Sequence, residues 1–248
     1  MDRGRLIGNV VPREDLSAQD VAGMYRVFRQ LYEGVDEKTF HDDLEEKDWV
    51  LLLRDVDSGA IRGFTTILRL QMSVHGEPLN VVFSGDTGIA PECWGGQALV
   101  RAWAHFMGRL RALDPSRRLY WFLISKGYRT YLYLPFFFHR FWPCVGVETP
   151  AFETALIDEL GRAKYPDHFD PATGVVRFAH SHGHLRRTIA ETPRHRREHP
   201  HVRFFLEKNP GYARGNELVC VAELAPENMK GLAQRLLLEG SGALLAAS

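Results

Sequence analysis

The sequence predicts a mixed α/β fold built on a mainly antiparallel sheet, and three observations carry that expectation. Three strand-like runs, Trp49–Arg54, Ile61–Leu70 and Leu79–Ile89, are separated only by turn chemistry, Asp57-Ser58-Gly59 and His75-Gly76-Glu77-Pro78, so they form an antiparallel meander. The third run passes through a helical stretch, Ala98–Leu113, into another strand, Leu119–Ser125, a unit that implies a right-handed parallel crossover. Leu119–Ser125 (LYWFLIS) is continuously apolar, as expected of a strand covered on both faces.

The remaining elements follow in order. Leu6–Val11 reads as a short strand. From Ser17 to Tyr32 the residues Val21, Met24, Tyr25, Phe28 and Leu31 recur at helical spacing, with Ser17 as N-cap. A shorter helix spans Asp36–Glu46, with Phe40 and Leu44 on one face. In Ala98–Leu113 the positions Leu99, Ala102, Trp103, Phe106 and Leu110 share a face. An aromatic-rich segment, Thr130–Trp142, is expected to be helical, with Pro135 starting, kinking or ending it. Beyond residue 146 the pattern weakens. A helix is expected over Glu153–Ala163, turns over Tyr165–Gly174, a last strand over Glu217–Leu224 and a last helix over Asn228–Leu238. Two domain-level segments are therefore expected: a core over 1–146 and an extension over 147–248 that completes the sheet, covers the acceptor site, or both.

Composition narrows the class. The chain has 248 residues, 45% of them apolar, and a formal net charge of zero, so no global field points to nucleic acid. Three cysteines, Cys93, Cys144 and Cys220, form no disulfide framework or CxxC motif, and no apolar signal segment opens the chain. Both features lead to an expectation of a cytoplasmic protein. The longest apolar run, Tyr131–Phe138, is far short of the ~18 residues of a membrane span. Residues 175–203 hold six of the eleven histidines and seven arginines against two glutamates, a basic segment suited to an acidic carrier protein or acidic peptide. His180, His182 and His184 alternate, but Gly183 and the flanking arginines read as a solvated loop, and no metal is expected.

The passage that carries chemistry is Phe83-Ser84-Gly85-Asp86-Thr87-Gly88-Ile89-Ala90-Pro91-Glu92-Cys93-Trp94-Gly95-Gly96-Gln97-Ala98. A strand enters a glycine turn and then a helix, whose free N–H groups and positive dipole end favour a pyrophosphate. Here the chain resembles the GNAT superfamily of N-acetyltransferases. That family's acyl-CoA signature, Arg/Gln-x-x-Gly-x-Gly/Ala on a strand–turn–helix shortly after a proline, finds Cys93, Gly96 and Ala98 in its three places. The element order through residue 142, β-α-α-β-β-β-α-β-α, is also that of the GNAT topology, β-α-α-β-β-β-α-β-α-β, up to its last strand.

The resemblance implies an N-acyltransferase moving an acyl group, acetyl or longer and up to a fatty acyl chain, from acyl-CoA or an acyl-phosphopantetheine on a carrier protein. The acceptor is an amine of a small molecule or peptide. It implies that the strands ending at Ile89 and Ser125 splay apart around the pantetheine. Thr87, Gly88, Ile89 and Ala90 would flank that arm, Cys93, Trp94, Gly95, Gly96, Gln97 and Ala98 would cradle phosphate, and Ser125 and Lys126 would lie along the path. Asp86 is the candidate base. The family's thiolate acid is a tyrosine, but its place falls on Phe138, so Tyr131 or Tyr133 is expected to substitute. His75 and Glu77 lie in a turn where acceptor-binding residues can sit, but a plain loop is the expected reading. Cys93 replaces a basic or amide residue, which moves the expected donor toward a longer acyl chain or a carrier-protein thioester. The other reading is a catalytically silent GNAT-like pantetheine- or CoA-binding module.

Overall fold

The structure, a computed structural model, describes residues 5–178 and 183–245. Strand β1 (Leu6–Pro12) leads into α1 (Ala18–Leu31), which a reciprocal capping box starts: Asp20 N–H donates to Ser17 Oγ, and Ser17 N–H to the Asp20 carboxylate. The two-residue β2 (Tyr32–Glu33) precedes α2 (Glu37–Glu45), capped by Asp36. The meander follows as β3 (Trp49–Asp55), β4 (Ile61–Val74) and β5 (Glu77–Ile89). Helix α3 (Ala98–Leu113) crosses over to β6 (Arg118–Ser125). The short helices α4 (Tyr128–Tyr131) and α5 (Tyr133–Phe137) come next, then α6 (Ala151–Lys164), β7 (Phe169–Asp170) and β8 (Val175–Val176). The chain continues through β9 (His184–Leu185), α7 (Arg187–Ala190), α8 (Arg194–Arg197), α9 (Pro200–Lys208), β10 (Glu217–Glu223) and α10 (Gly231–Leu245).

Eight strands form one sheet in the order β1-β3-β4-β5-β6-β10-β8-β7, with β5 and β6 its parallel pair; β2 and β9 pair separately. The sheet is buried on both faces, which is why Val50, Leu51, Leu52 and Leu53 of β3 are all inaccessible. Alternate residues feed opposite cores. Leu51, Leu53, Val82, Trp121 and Cys220 pack with α3, α9 and α10. On the other face, Val50, Leu52 and Phe64 pack with α1 and α2, while Val81, Phe83, Tyr120, Phe122 and Val219 pack with α6. Strand β10, late in the chain, sits beside β6, so residues beyond 146 are integral to the sheet.

Two expectations change. The helix expected over Thr130–Trp142 breaks into α4 and α5 and ends at Phe137. Pro135 has no N–H to give a preceding turn, so the helix restarts at Tyr133, which places the proline where no intrahelical donor is needed. Past Phe137 the backbone pairs instead with the C-terminal segment, Phe138 with Met229 and Trp142 with Val221. The basic segment is not one loop, since Val175–Val176 pair with β10 and α9 buries Val202 and Phe205. His180 and His182 lie outside the described residues. His75 and Glu77 lie at the end of the β4–β5 hairpin where β6 begins, and Glu77 pairs with Arg118 at 3.4 Å, far along the strand from Asp86.

Helix α3 is held by α10 through two glycines. A Cβ on Gly108 would overlap the Leu237 carbonyl oxygen, and one on Gly240 the His105 carbonyl oxygen. We expect Gly108→Ala and Gly240→Ala each to cost about 1–3 kcal/mol of stability, read as a lowered midpoint in chemical denaturation.

Candidate active site between β5 and β6

Backbone pairing between β5 and β6 runs from Leu79↔Arg118 to Ser84↔Leu123 and then stops. Strand β5 continues to Ile89 against β4, and β6 continues to Ser125 against β10, so the two strands diverge. A bulge marks the point of parting. Thr65 pairs with Thr87 and Ile67 with Ser84, so Thr66 faces both Gly85 and Asp86. A Cβ at position 85 would lie 2.7 Å from Thr66 Oγ1 and 3.0 Å from Lys47 Cε, so a larger residue there would displace these side chains.

The ladder register fixes what faces the gap. Ala90 N–H donates to Arg62 O at 2.8 Å, and Gly63 pairs with Ile89, so Thr87 and Ile89 occupy the non-hydrogen-bonded positions against β4. Their amide and carbonyl groups therefore point toward β6. The Thr87 carbonyl accepts from the Tyr32 hydroxyl at 3.1 Å, and the Ile89 carbonyl from Trp94 Nε1 at 2.8 Å. Both N–H groups face the gap.

A cavity of about 300 Å³ passes through the sheet here. On the α3 face it is apolar, lined by Leu99, Val100, Trp103, Trp121, Leu123 and Phe137. On the α2–α6 face it is charged, lined by Asp43, Glu46, Lys47, Lys164 and Glu217 with the aromatic walls Phe83 and Tyr165. Asp86, Thr87 and Lys126 line it where the two strands part. Burial pushes the Asp86 carboxyl up to about 6 despite the opposing pull of Lys126 and Lys47, with Asp43 and Glu217 adding to the rise. Lys126 pairs with Glu217 at 3.2 Å and lies 5.5 Å from the Tyr32 ring centre.

A larger groove, about 950 Å³, adjoins the cavity and shares Tyr32, Thr87, Val100, Thr130, Tyr133 and Phe137 with it. It runs along Trp94, Gly95, Gly96 and Gln97 to the start of α3. Gly95 has φ +83°, a conformation suited to glycine. No side chain caps α3, and its first helical hydrogen bond is Arg101 N–H to Gln97 O, so the amides of Ala98, Leu99 and Val100 precede the ladder. Arg129, His195, Arg196 and Lys230 also line the groove. Arg129 is held over the Trp94 ring at 5.0 Å and donates to Ile189 O at 2.5 Å.

Of the residues expected at the site, Asp86, Thr87, Ile89, Trp94, Gly95, Gly96, Gln97, Lys126 and Tyr133 line the cavity or groove. Gly88, Ala90, Cys93, Ala98 and Ser125 line neither. Ala90 and Gly88 are buried under the turn, and Ser125 is fully buried beside Cys220. Burial and Glu92 raise the Cys93 thiol, the opposite of an activated nucleophile. The two tyrosines separate. Tyr131 is fully buried among Phe141, Phe204 and Phe205, and its hydroxyl donates to Pro143 O at 2.9 Å. Tyr133 stands at the junction of cavity and groove, its hydroxyl held protonated by burial. Phe138 is buried in the core.

The charged half of the site was not expected: Tyr32, Asp43, Glu46, Lys47, Lys164 and Glu217 all come from elements outside the glycine-turn passage. Among the described residues, no group of three or more His, Cys, Asp or Glu is placed to hold a metal ion, and no helix is long and apolar enough to cross a membrane.

The raised Asp86 pKa has a stability consequence. Between about pH 4 and 6 the native carboxyl binds more proton than the unfolded one, so stability falls as pH rises through that window. Asp86→Asn removes the penalty. We expect it to raise the thermal midpoint at pH 7.5, and the gain to vanish near pH 4.

No protein-family model matches the sequence, and no curated protein matches it. Solved structures resemble it in part. YhbS from Escherichia coli, a GNAT family N-acetyltransferase in complex with CoA, is 16% identical with a TM-score of 0.38, over 50% of this chain and 64% of that one. A probable N-acyltransferase from Enterococcus faecalis is 14% identical with a TM-score of 0.38, over 54% of this chain and 33% of that one. AtaT, complexed with acetyl-methionyl-tRNAfMet, is 11% identical with a TM-score of 0.40, over 58% and 91%. The chain thus spans less than two thirds of the first two. Its own strand and helix order is a mixed, mainly antiparallel α/β architecture.

Proposed function

We propose that this chain is a divergent GNAT-type N-acyltransferase that moves an acyl group longer than acetyl from acyl-CoA to an amine. The observation that carries this reading is the cavity through the sheet, with Asp86 lining it and a groove leading from it to the uncapped start of α3. The pantetheine arm lies in the gap, one of its amide carbonyls accepting from the Ile89 N–H. The diphosphate meets the α3 amides and the cations Arg129, Arg196 and Lys230. These cations supply the charge that Cys93 does not, and they favour CoA over a carrier-protein donor.

The acyl chain descends into the apolar limb between Leu99, Trp103, Trp121 and Phe137. The amine enters from the α2–α6 face. Its nitrogen bonds to the thioester carbonyl carbon and gives one proton to the Asp86 carboxylate. The Thr87 N–H, next to Asp86 in the chain, stabilises the oxyanion. The C–S bond then breaks, and the thiolate takes a proton from the Tyr133 hydroxyl. Exchange through water returns the proton from Asp86 to Tyr133. Having both an acid and a base beside the gap favours turnover over a silent binding module.

Incubation with acyl-CoA donors from acetyl to palmitoyl and a mixture of amines, read by mass spectrometry, tests this. Use of acetyl-CoA alone would remove the long-chain part. Thermal stabilisation by CoA with no amide product from any donor would leave only a binding module. We expect kcat/KM to rise with pH through about 6 as Asp86 ionises. Asp86→Asn should lower kcat by roughly 100-fold and Tyr133→Phe by about tenfold, while Tyr131→Phe changes it little. Leu99→Trp, which fills the apolar limb, should shift the preferred donor toward acetyl-CoA.

A further inference from the structure

The charged limb of the cavity contains a feature that a plain amine acceptor does not require. Lys47 and Lys164 come from separate elements, the α2–β3 connection and the last turn of α6. Their ammonium groups converge on one aromatic ring, with Nζ 5.9 Å and 5.7 Å from the centre of Phe83. Lys47 is almost wholly buried, its side chain 4% exposed. Burial, then the charge of Lys164, holds its ammonium below the ordinary lysine range. Two like charges in a partly dry limb are costly unless an anion joins them.

In the structure the anion in contact with both is Glu46, which is ion-paired with Lys164 and lies 3.7 Å from Lys47, while the carboxylates of Asp86 and Asp43 also act on Lys47. Glu46 is a poor permanent partner. It is the C-cap of α2, and its side chain is 52% exposed, so solvent competes for it. Lys47 Nζ also donates to the Asp43 carbonyl at 2.6 Å, which aims its ammonium while leaving charge to be balanced. The pair lines the same cavity as Asp86, and Lys47 is close enough to draw the Asp86 carboxyl down. Lys126, the other lysine of the cavity, is already matched by Glu217.

We infer that the acceptor is an amine bearing a carboxylate, a free amino acid, whose carboxylate is seated between Lys47 and Lys164 while its amine faces Asp86. The carboxylate takes the place of Glu46 between the two ammonium groups. The side chain of the amino acid lies against Phe83 and Tyr165, the aromatic walls of that limb. The seat also orients the nucleophile, because fixing the carboxylate leaves the amine little freedom beside the base. This inference rests on the acyl-transfer reading above and narrows its acceptor.

The test offers the full-length protein its preferred acyl-CoA together with the twenty standard amino acids, and in parallel their decarboxylated amines. N-acyl amino acids should form, with kcat/KM at least tenfold above that of the matching decarboxylated amine. Lys164→Gln should raise the KM for the amino acid at least tenfold without changing the KM for acyl-CoA, whose groove Lys164 does not line. Lys164→Arg should restore the preference. Lys47→Met provides the second variant and should show the same split. Acylation of the decarboxylated amines at equal or higher kcat/KM, or a Lys164→Gln variant with an unaltered amino-acid KM, overturns the acceptor class and leaves acyl transfer standing. Acylation of neither set overturns acyl transfer itself, and the acceptor class with it.

Discussion

The loss of backbone pairing between β5 and β6 after Ser84 and Leu123 is the constraint from which the rest of the site follows. A sheet interior that stops pairing leaves carbonyl and N–H groups without their usual partners, each costing about 1–3 kcal/mol if buried and unmatched. The chain offsets part of this with side chains reaching in from outside the sheet. The Tyr32 hydroxyl takes the Thr87 carbonyl, and Trp94 Nε1 takes that of Ile89. Both donors are held rigidly. Tyr32 stacks on Phe28 of α1, and the Trp94 ring lies beneath the Arg129 guanidinium. The acceptors are thereby satisfied while the donors of the gap stay directed at whatever occupies it.

Opening the sheet also joins two environments that it otherwise separates. The α3 face is a hydrophobic core in which Trp103 and Trp121 pack ring against ring, centroids 4.6 Å apart, and together line a limb left unfilled beside them. The opposite face is lined by charge drawn from α2, α6 and the start of β10. A carboxyl at their boundary is only partly solvated, and that environment lifts Asp86 to about 6, where it can still ionise near neutral pH and accept a proton. Lys126 moderates the shift, and Glu217 anchors Lys126. Strand β10 thus contributes to the electrostatics of the site as well as to the sheet.

Much of the fold was legible because local rules and tertiary structure agree. Ser17 and Asp36 cap the helices their sequence contexts indicate, α3 spans Ala98–Leu113 as its apolar spacing implies, and the turns at Asp57-Ser58-Gly59 and His75-Gly76 close the meander. Agreement failed where long-range contacts decide. Phe138 and Trp142 left the helical pattern because Met229 and Val221, some eighty to ninety residues later, offer backbone pairing. Tyr131 and Tyr133 are indistinguishable in the run TYLYLPFFF, yet one is enclosed by α9 aromatics and the other faces the gap. Glu46-Lys47-Asp48 reads as a solvated charged connection, and only the close approach of Phe83 and α6 buries Lys47.

By itself the sequence determined the meander, the crossover, the glycine turn before α3 and the position of Asp86 late on β5. These follow from hydrophobic period, turn residues and caps, which act over a few residues. Tertiary structure alone decided where β5 and β6 part, which tyrosine reaches the gap, and that Lys47, Lys164, Arg129 and Arg196 converge on its two ends. Those outcomes depend on which distant segments occupy each face of the sheet. Burial, and with it the pKa and partner of every charge at the site, is a property of that packing and has no local signature.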